Sequence, residues 1–179
     1  MASRLPIYVP LRCRSPYSML EGAMRMGDTA KRAREWRLPA IGLADTNSMC
    51  GALEFSGVMI GTGIQPIMGC TLSVDLEGEM QPGRIKRDPD GTMAIFAQNE
   101  TGYENLMSLS SAAFLEVEAT DLPHIKASRL EGHTEGVIAL TGGPYGALNR
   151  LIVAGQIKEA EDWLDKLIGL FPNRLYVEL

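Results

Sequence analysis

Arg12 and Arg14 are the first side chains of the sequence whose types and spacing could do chemistry. They follow a short β-prone run at 7–11, and if the strand continues through them a spacing of two puts both on one face. Two neighbouring guanidinium groups could bind a phosphate or neutralise a buried carboxylate. The alternative is a pair of solvated arginines on a loop.

Asp45 comes directly after a second predicted strand, the apolar run 40–44. Parallel α/β folds carry their functional sites at the carboxyl ends of strands, so Asp45 could be a metal ligand or a general base. The local sequence favours the alternative, a turn or N-cap residue before the next helix. A third junction, 141–146, could offer backbone N–H groups to an anion, but a tight turn explains its glycines more simply.

The composition is that of a globular α/β protein and excludes several other classes. The 179 residues include 17 Lys and Arg against 22 Asp and Glu, so the formal net charge of −5 gives no broad basic face for nucleic acid. No apolar run approaches the roughly 20 residues that span a bilayer, and the N-terminus lacks the apolar region of a signal peptide. Three unpatterned cysteines fit a reducing cytoplasm, and two histidines exclude a histidine-rich metal cluster. We therefore expect a cytoplasmic protein with no membrane attachment.

Apolar periodicity predicts alternating strands and helices that would position these side chains. Helices are predicted over 27–37, 50–60, 103–116 and about 160–171, and strands over 40–44, 66–76, 92–97, 137–140 and 175–179. The polar segment 77–91 reads as a loop or hairpin connection, and 117–136 has little pattern beyond a helical turn near 128–131. The order argues for a largely parallel sheet or an open barrel. Because the sequence stops on a strand, we expect a piece of a longer domain.

Several segments, taken in order, resemble the PHP (polymerase and histidinol phosphatase) domain family. Residues 8–22, YVPLRCRSPYSMLEG, resemble the first family motif, which usually has a strand, His-x-His and then Ser-x-Tyr-Ser. Residues 39–51, PAIGLADTNSMCG, resemble the second motif, and residues 63–70, GIQPIMGC, the third. The segments 99–106 and 136–143 resemble the branch of the family found in the catalytic alpha subunit of bacterial DNA polymerase III. The resemblance covers nearly the whole chain.

The resemblance implies a fold and a set of partners. The fold would be an incomplete, distorted (β/α)7 barrel of mostly parallel strands with outer helices. Residues 1–179 would form the larger, N-terminal part of the PHP domain, without the palm, fingers and later domains of a polymerase. The parent chain would perform template-directed DNA synthesis with Mg²⁺ at its palm. Its partners would be the proofreading exonuclease (epsilon) subunit, the rest of the polymerase III core and DNA.

The departures from the family pattern concern metal binding. In metal-bearing relatives histidines occupy the positions of Arg12, Arg14, Thr46 and Thr92, and an acidic ligand occupies that of Thr71. Arginine keeps its proton and has no lone pair to offer, so it cannot replace imidazole at a metal. The resemblance therefore implies a degenerate metal site, with no catalytic residue and no cofactor in this part of the chain. These positions could instead hold an ion pair or an anion.

Asp45, which matches the family at the second motif, would need positive charge nearby to stay buried at tolerable cost. We expect Arg12 or Arg14 to supply that charge through a bidentate contact. The alternative is an active metal-dependent PHP phosphoesterase or 3′–5′ exonuclease with a reduced metal set, which would recruit Asp45, His124 or His133. A third possibility is an unrelated α/β protein whose arginine pair binds an anion. Both histidines are expected at the surface.

Overall fold

The computed structural model describes residues 8–78 and 88–178. The helices are α1 (Met26–Glu35), α2 (Ala52–Gly61), α3 (Glu100–Leu115), α4 (Ala147–Val153) and α5 (Ile157–Leu170), and short 3₁₀ turns cover Ala127–Leu130 and Gly143–Tyr145. The strands are β1 (Ala40–Thr46), β2 (Gln65–Asp75), β3 (Gly91–Ala97), β4 (Ile125–Lys126), β5 (Val137–Leu140) and β6 (Leu175–Tyr176). Each predicted helix, and each predicted strand from 40–44 onward, is present with its ends shifted by a few residues. Helix α4 and strand β4 were not predicted.

The strands of the described residues form one mixed, mostly parallel sheet in the order β1-β2-β3-β5-β6, with β4 beside the end of β2. Pairs β1/β2, β2/β4 and β5/β6 are parallel. Strand β3 runs antiparallel to both of its neighbours. The sheet therefore agrees with the predicted mostly parallel α/β class. Its order has two ends, however, so backbone pairing among the described residues does not close it into the predicted (β/α)7 barrel.

The segment 10–13 runs beside β1 without forming a regular strand. The Gly42 N–H donates to the Pro10 carbonyl at 2.8 Å, and the Ala44 N–H donates to the Cys13 carbonyl at 2.8 Å. A Cβ atom on Gly42 would lie 2.3 Å from the Leu11 carbonyl oxygen, so glycine is required for this close approach. Part of the predicted run 7–11 is thus extended next to β1. Three parts of the predicted segments lie outside the described residues: residue 7 of this run, residues 79–87 of the predicted connection and residue 179 of the last strand.

Helices cover the sheet and bury its apolar side chains. Leu72 of β2 and Ile95 of β3 pack in one cluster with Leu106 and Leu109 of α3 and Leu167 of α5. Full burial of one such side chain contributes about 2 kcal/mol, so this cluster is a main source of stability. Asn99 is the N-cap of helix α3, and its side-chain oxygen accepts a hydrogen bond from the Gly102 N–H at 2.9 Å.

Helices α1 and α2 pack against β1 in a second cluster. It contains Ala30 and Ala33 of α1, Ile41 of β1, and Phe55 and Met59 of α2. The small alanines bring α1 close to its neighbours. None of the described helices is long and apolar enough to cross a membrane.

The sheet brings the predicted site residues to one end, which we call the carboxyl edge. Strands β1, β2, β5 and β6 finish there, and β3 begins there because it runs the opposite way, with Thr92 opposite Ser73. Thr46 lies opposite Thr71 in the same register. The segment 10–13 leads to the same edge.

Candidate functional site

Asp45 lies at the carboxyl end of β1 and is fully buried. Its carboxylate accepts hydrogen bonds from the Ser15 N–H at 2.7 Å, the Ser15 hydroxyl at 2.6 Å and the Ser18 hydroxyl at 2.6 Å. These short, charge-assisted hydrogen bonds compensate the buried charge. The expected pairing of Asp45 with Arg12 or Arg14 is wrong, because Ser15 and Ser18 already occupy the carboxylate and both guanidinium groups contact other residues.

The backbone carbonyl of Asp45 accepts a hydrogen bond from a buried thiol. The Cys70 Sγ lies 3.4 Å from the Asp45 carbonyl oxygen. Burial raises the pKa of Cys70 to about 12. The thiol therefore keeps its proton at neutral pH and acts as a hydrogen-bond donor rather than as a nucleophile.

The two serines belong to a tight loop, 15–22, which we call the serine loop. The Ser18 hydroxyl accepts a hydrogen bond from the Thr46 N–H at 3.0 Å, and the Gly22 N–H donates to the Ser18 carbonyl at 2.9 Å. A Cβ atom on Gly22 would lie 2.0 Å from the Ser15 carbonyl oxygen, so glycine is required for the loop to close. The serine loop is thus fixed to the end of β1.

Arg14 and Thr46 both contact Glu21, which was not among the predicted site residues. The Arg14 Nε lies 3.2 Å from the Glu21 carboxylate, and the Thr46 hydroxyl donates to the same carboxylate at 2.5 Å. Two positions at which the family resemblance implies a lost metal ligand therefore share one carboxylate here. The only sequence signal was the place of Glu21 in the first motif, three residues after Ser18.

Arg12 pairs with Glu178, at the other end of the described chain. One guanidinium nitrogen lies 2.9 and 2.8 Å from the two carboxylate oxygens and 3.5 Å from the Gly142 carbonyl oxygen. The Glu178 N–H donates to the Thr141 hydroxyl at 3.1 Å, which orients the carboxylate. No sequence spacing could have indicated this partner, because the pair is 166 residues apart.

Thr71 and Thr92 have structural contacts. The Thr71 hydroxyl is buried and donates to the Ala44 carbonyl at 3.0 Å, while the Thr92 hydroxyl lies 3.4 Å from the Tyr145 carbonyl oxygen. Gly142 has φ of +94°, and a Cβ atom there would lie 1.9 Å from the Thr92 carbonyl oxygen. The junction 141–146 is thus the tight turn that the simpler interpretation predicted.

The histidines lie apart from Asp45. The expectation of a surface position is wrong for His124, which is buried. Its backbone N–H donates to the Ala113 carbonyl of α3 at 3.1 Å. Its Nδ1 lies 2.7 Å from the Leu122 carbonyl oxygen, and its Nε2 lies 3.8 Å from the Asp75 carboxylate. His133 contacts Arg129 at 3.1 Å. Neither histidine is among the groups that bind the Asp45 carboxylate.

The acidic side chains at the carboxyl edge are bound by other protein groups. Across residues 8–78 and 88–178, no group of three or more His, Cys, Asp or Glu side chains is placed to hold one. The carboxylates of Glu21, Asp45 and Glu178 are bound by arginine, serine or threonine. The edge is therefore a network of internal ion pairs and hydrogen bonds.

Comparison with known proteins defines the class to which this arrangement belongs. The PHP domain family matches residues 10–179. The chain belongs to the PHP domain family, and the motifs that resembled it include the segments that build the carboxyl edge.

Within that family the chain is similar to one kind of protein. It is 41% identical over 172 residues to the DNA polymerase III subunit alpha of Caulobacter vibrioides (strain NA1000 / CB15N), covering 96% of this chain and 15% of that relative. It is 30% identical over 174 residues to the same subunit of Escherichia coli (strain K12), covering 97% of this chain and 14% of that relative. The domain is homologous to the N-terminal region of DNA polymerase III alpha, and the chain spans only a small part of the length of these relatives.

A solved structure shows a weaker similarity in fold. A Bifidobacterium adolescentis protein described as a metal-dependent phosphoesterase aligns with a TM-score of 0.43 and 16% sequence identity. The alignment covers 86% of this chain and 52% of that chain.

Proposed function

We propose that this domain is a metal-free structural platform within a replicative DNA polymerase. The parent chain extends a primer from deoxynucleoside triphosphates on a DNA template, with Mg²⁺ at a distant palm. The platform docks the proofreading exonuclease subunit and so joins the polymerase III core. The homology to DNA polymerase III alpha over nearly the whole chain supports this proposal. We further propose that the sheet is the larger part of an incomplete PHP barrel.

One observation carries the metal-free part of the proposal: the carboxylates at the carboxyl edge are already satisfied by the protein. Arg12 binds Glu178, Arg14 and Thr46 bind Glu21, and Asp45 accepts hydrogen bonds from two serines. A metal ion would have to displace guanidinium groups that carry a permanent positive charge. Hydrolysis of the PHP type, which depends on metal ions, is therefore lost.

Metal content tests this part of the proposal directly. The chain is purified without chelators and without a histidine tag, and Zn, Mn and Fe are measured by mass spectrometry. We expect far less than one ion per chain. One or more tightly held ions per chain, together with phosphoesterase or 3′–5′ exonuclease activity that a chelator abolishes, would contradict the metal-free platform. That result would show that the domain is an active PHP hydrolase.

A further inference from the structure

Helix α1 and the residues that flank it concentrate positive charge in an otherwise acidic chain. The segment 25–37 holds five basic and two acidic residues, a net charge of +3, whereas the rest of the chain, with 12 basic and 20 acidic residues, has a net charge of −8. The five basic side chains are all exposed to water: Arg25, Lys31, Arg32, Arg34 and Arg37. The net charge of the whole chain therefore conceals a basic surface on one helix.

Most of this charge is not neutralised within the domain. Arg32 pairs with Glu35 on the same helix at 3.2 Å. The other four basic side chains form no ion pair with residues 8–78 or 88–178. Their charges therefore remain available to an external anion.

An arginine occupies the first end of α1 against the preference of that position. Arg25 is the N-cap, and its side chain forms no capping hydrogen bond. Serine, threonine, aspartate and asparagine are preferred there, because their side-chain oxygens accept hydrogen bonds from the free N–H groups of the first turn. A positive charge at this end also opposes the helix dipole. The stability of the helix therefore does not account for Arg25.

A second arginine occupies the other end of α1 in a strained conformation. The Arg37 N–H donates to the Arg34 carbonyl at 3.0 Å, and the Leu38 N–H donates to the Ala33 carbonyl at 2.9 Å. This is the Schellman pattern of helix ends, in which glycine usually takes the left-handed position. Arg37 holds that position with φ of +56°. A strained residue that glycine would replace without strain points to a functional requirement for the side chain.

An exposed indole lies among these charges. Trp36 is 68% exposed, although tryptophan is usually largely buried. It follows Arg32 by four residues, so the two side chains lie on one side of the helix. An exposed aromatic ring beside guanidinium groups is the arrangement on which nucleic acid bases stack while the strand's phosphates bind the cations. Trp36 comes just before β1 begins, so it lies toward the end of the sheet opposite the carboxyl edge.

We propose that the α1 surface binds single-stranded DNA, with Arg25 and Arg37 on phosphates and a base stacked on Trp36. A helix of ten residues is about 15 Å long, so its two ends reach different phosphates of one strand. This inference rests on the proposed place of the domain in a replicative polymerase, which brings a template strand near it. An acidic protein segment would also match the charge, but it would leave the indole without a stacking partner.

Fluorescence anisotropy of a labelled oligothymidine strand, titrated with the 179-residue chain from about 50 mM salt upward, tests the inference. The double variant Arg25→Ser with Arg37→Gly supplies the residues that the two helix ends prefer, so its melting temperature should stay the same or rise. We expect it to bind about tenfold or more weakly. The slope of log K against log salt should become shallower by about 1.4, which is about 0.7 for each lost phosphate contact.

Two further variants separate stacking from general charge. Trp36→Ala should weaken binding about fivefold or more and leave the salt slope unchanged, because it removes a stacked base and no charge. The matched control is Lys126→Gln with Lys158→Gln, which removes two exposed positive charges outside α1. It should leave the affinity within about twofold of the parent, since salt screens distant charges.

Four outcomes would overturn the inference. They are no binding by the parent chain, a loss in the lysine control as great as in the arginine variant, tighter binding of duplex DNA that Trp36→Ala leaves unchanged, and equally tight binding of polyglutamate, which would assign α1 to an acidic protein segment. None of these results changes the metal content that tests the platform. A metal-free domain that does not bind DNA would keep the proposed function, whereas a metal-loaded domain that binds DNA through α1 would lose only the metal-free platform.

Discussion

A buried carboxylate must be compensated, and at Asp45 the compensation comes from neighbouring dipoles rather than from a cation. Two hydroxyl groups and a backbone N–H reach its oxygens at 2.6 to 2.7 Å. Hydrogen bonds to a charged acceptor contribute about 1.5–3 kcal/mol each when the partners are desolvated. The arginines nearby are thus left to neutralise Glu21 and Glu178.

Replacing Asp45 by asparagine should destabilise the domain without changing its volume. The amide nitrogen has no lone pair to accept a serine hydrogen, so at least one buried donor loses its acceptor. We expect a loss of about 1–3 kcal/mol in the free energy of unfolding, measured by urea denaturation. The control is Asp165→Asn on the exposed side of α5, which should change stability by less than about 0.5 kcal/mol. Equal effects of both substitutions would contradict the account of Asp45.

At the scale of residues, the positions of these side chains in the fold were predictable from the sequence, but their contacts were not. Arg14, Asp45 and Thr46 were predicted from strand ends and family motifs, and the structure brings all three to the carboxyl edge. The partners were not predictable in the same way. Glu21 lies within the first motif but has no distinguishing type or spacing, and Glu178 is reached only when the whole sheet has formed.

At the scale of elements, the serine loop carries strain that a single substitution can relieve. Leu20→Gly removes a side chain that buries nothing and places glycine at φ of +67°. The relief of about 1–2 kcal/mol outweighs the added flexibility of glycine in the unfolded chain, about 0.5–1 kcal/mol. We therefore expect the free energy of unfolding to stay the same or rise by as much as about 1 kcal/mol.

The matched control for this prediction is Leu53→Gly in α2. Leu53 is 85% exposed, so the same atoms leave a similar environment, but its backbone is helical. Glycine in a helix costs about 1 kcal/mol, and the free energy of unfolding should fall. Thermal unfolding of both variants by circular dichroism would measure the difference. A loss of stability in Leu20→Gly equal to that in Leu53→Gly would show that the loop is unstrained.

Elements were predictable where periodicity is strong and long. The apolar runs that became β1, β2 and β3 and the amphipathic stripe of α5 gave bounds close to the observed ones. Strand direction was not predictable, because an apolar run reads the same in a parallel or an antiparallel pair, so the reversal of β3 was missed. Helix α4 has only seven residues, too few to show a period.

At the scale of the whole molecule, the two ends of the sheet are brought together. Arg12 lies in the segment 10–13 beside β1, and Glu178 follows β6 at the opposite end of the strand order. Their contact at 2.8 Å requires the sheet to curl until its ends meet at the carboxyl edge. The ion pair therefore links ends that backbone pairing between the described strands does not join.

A double-mutant cycle can measure how strongly this link holds the molecule. Both side chains are 22% exposed, so solvent screens the pair only partly. From the free energies of unfolding of Arg12→Met, Glu178→Gln and the double variant, we expect a coupling energy of about 1–2 kcal/mol, between the values for exposed and buried pairs. The control cycle uses Arg32 and Glu35, which are 63% and 45% exposed on α1 and should couple by less than about 0.5 kcal/mol. Because Arg12 and Glu178 are 166 residues apart, a coupling as small as that of the control would mean that packing alone curls the sheet.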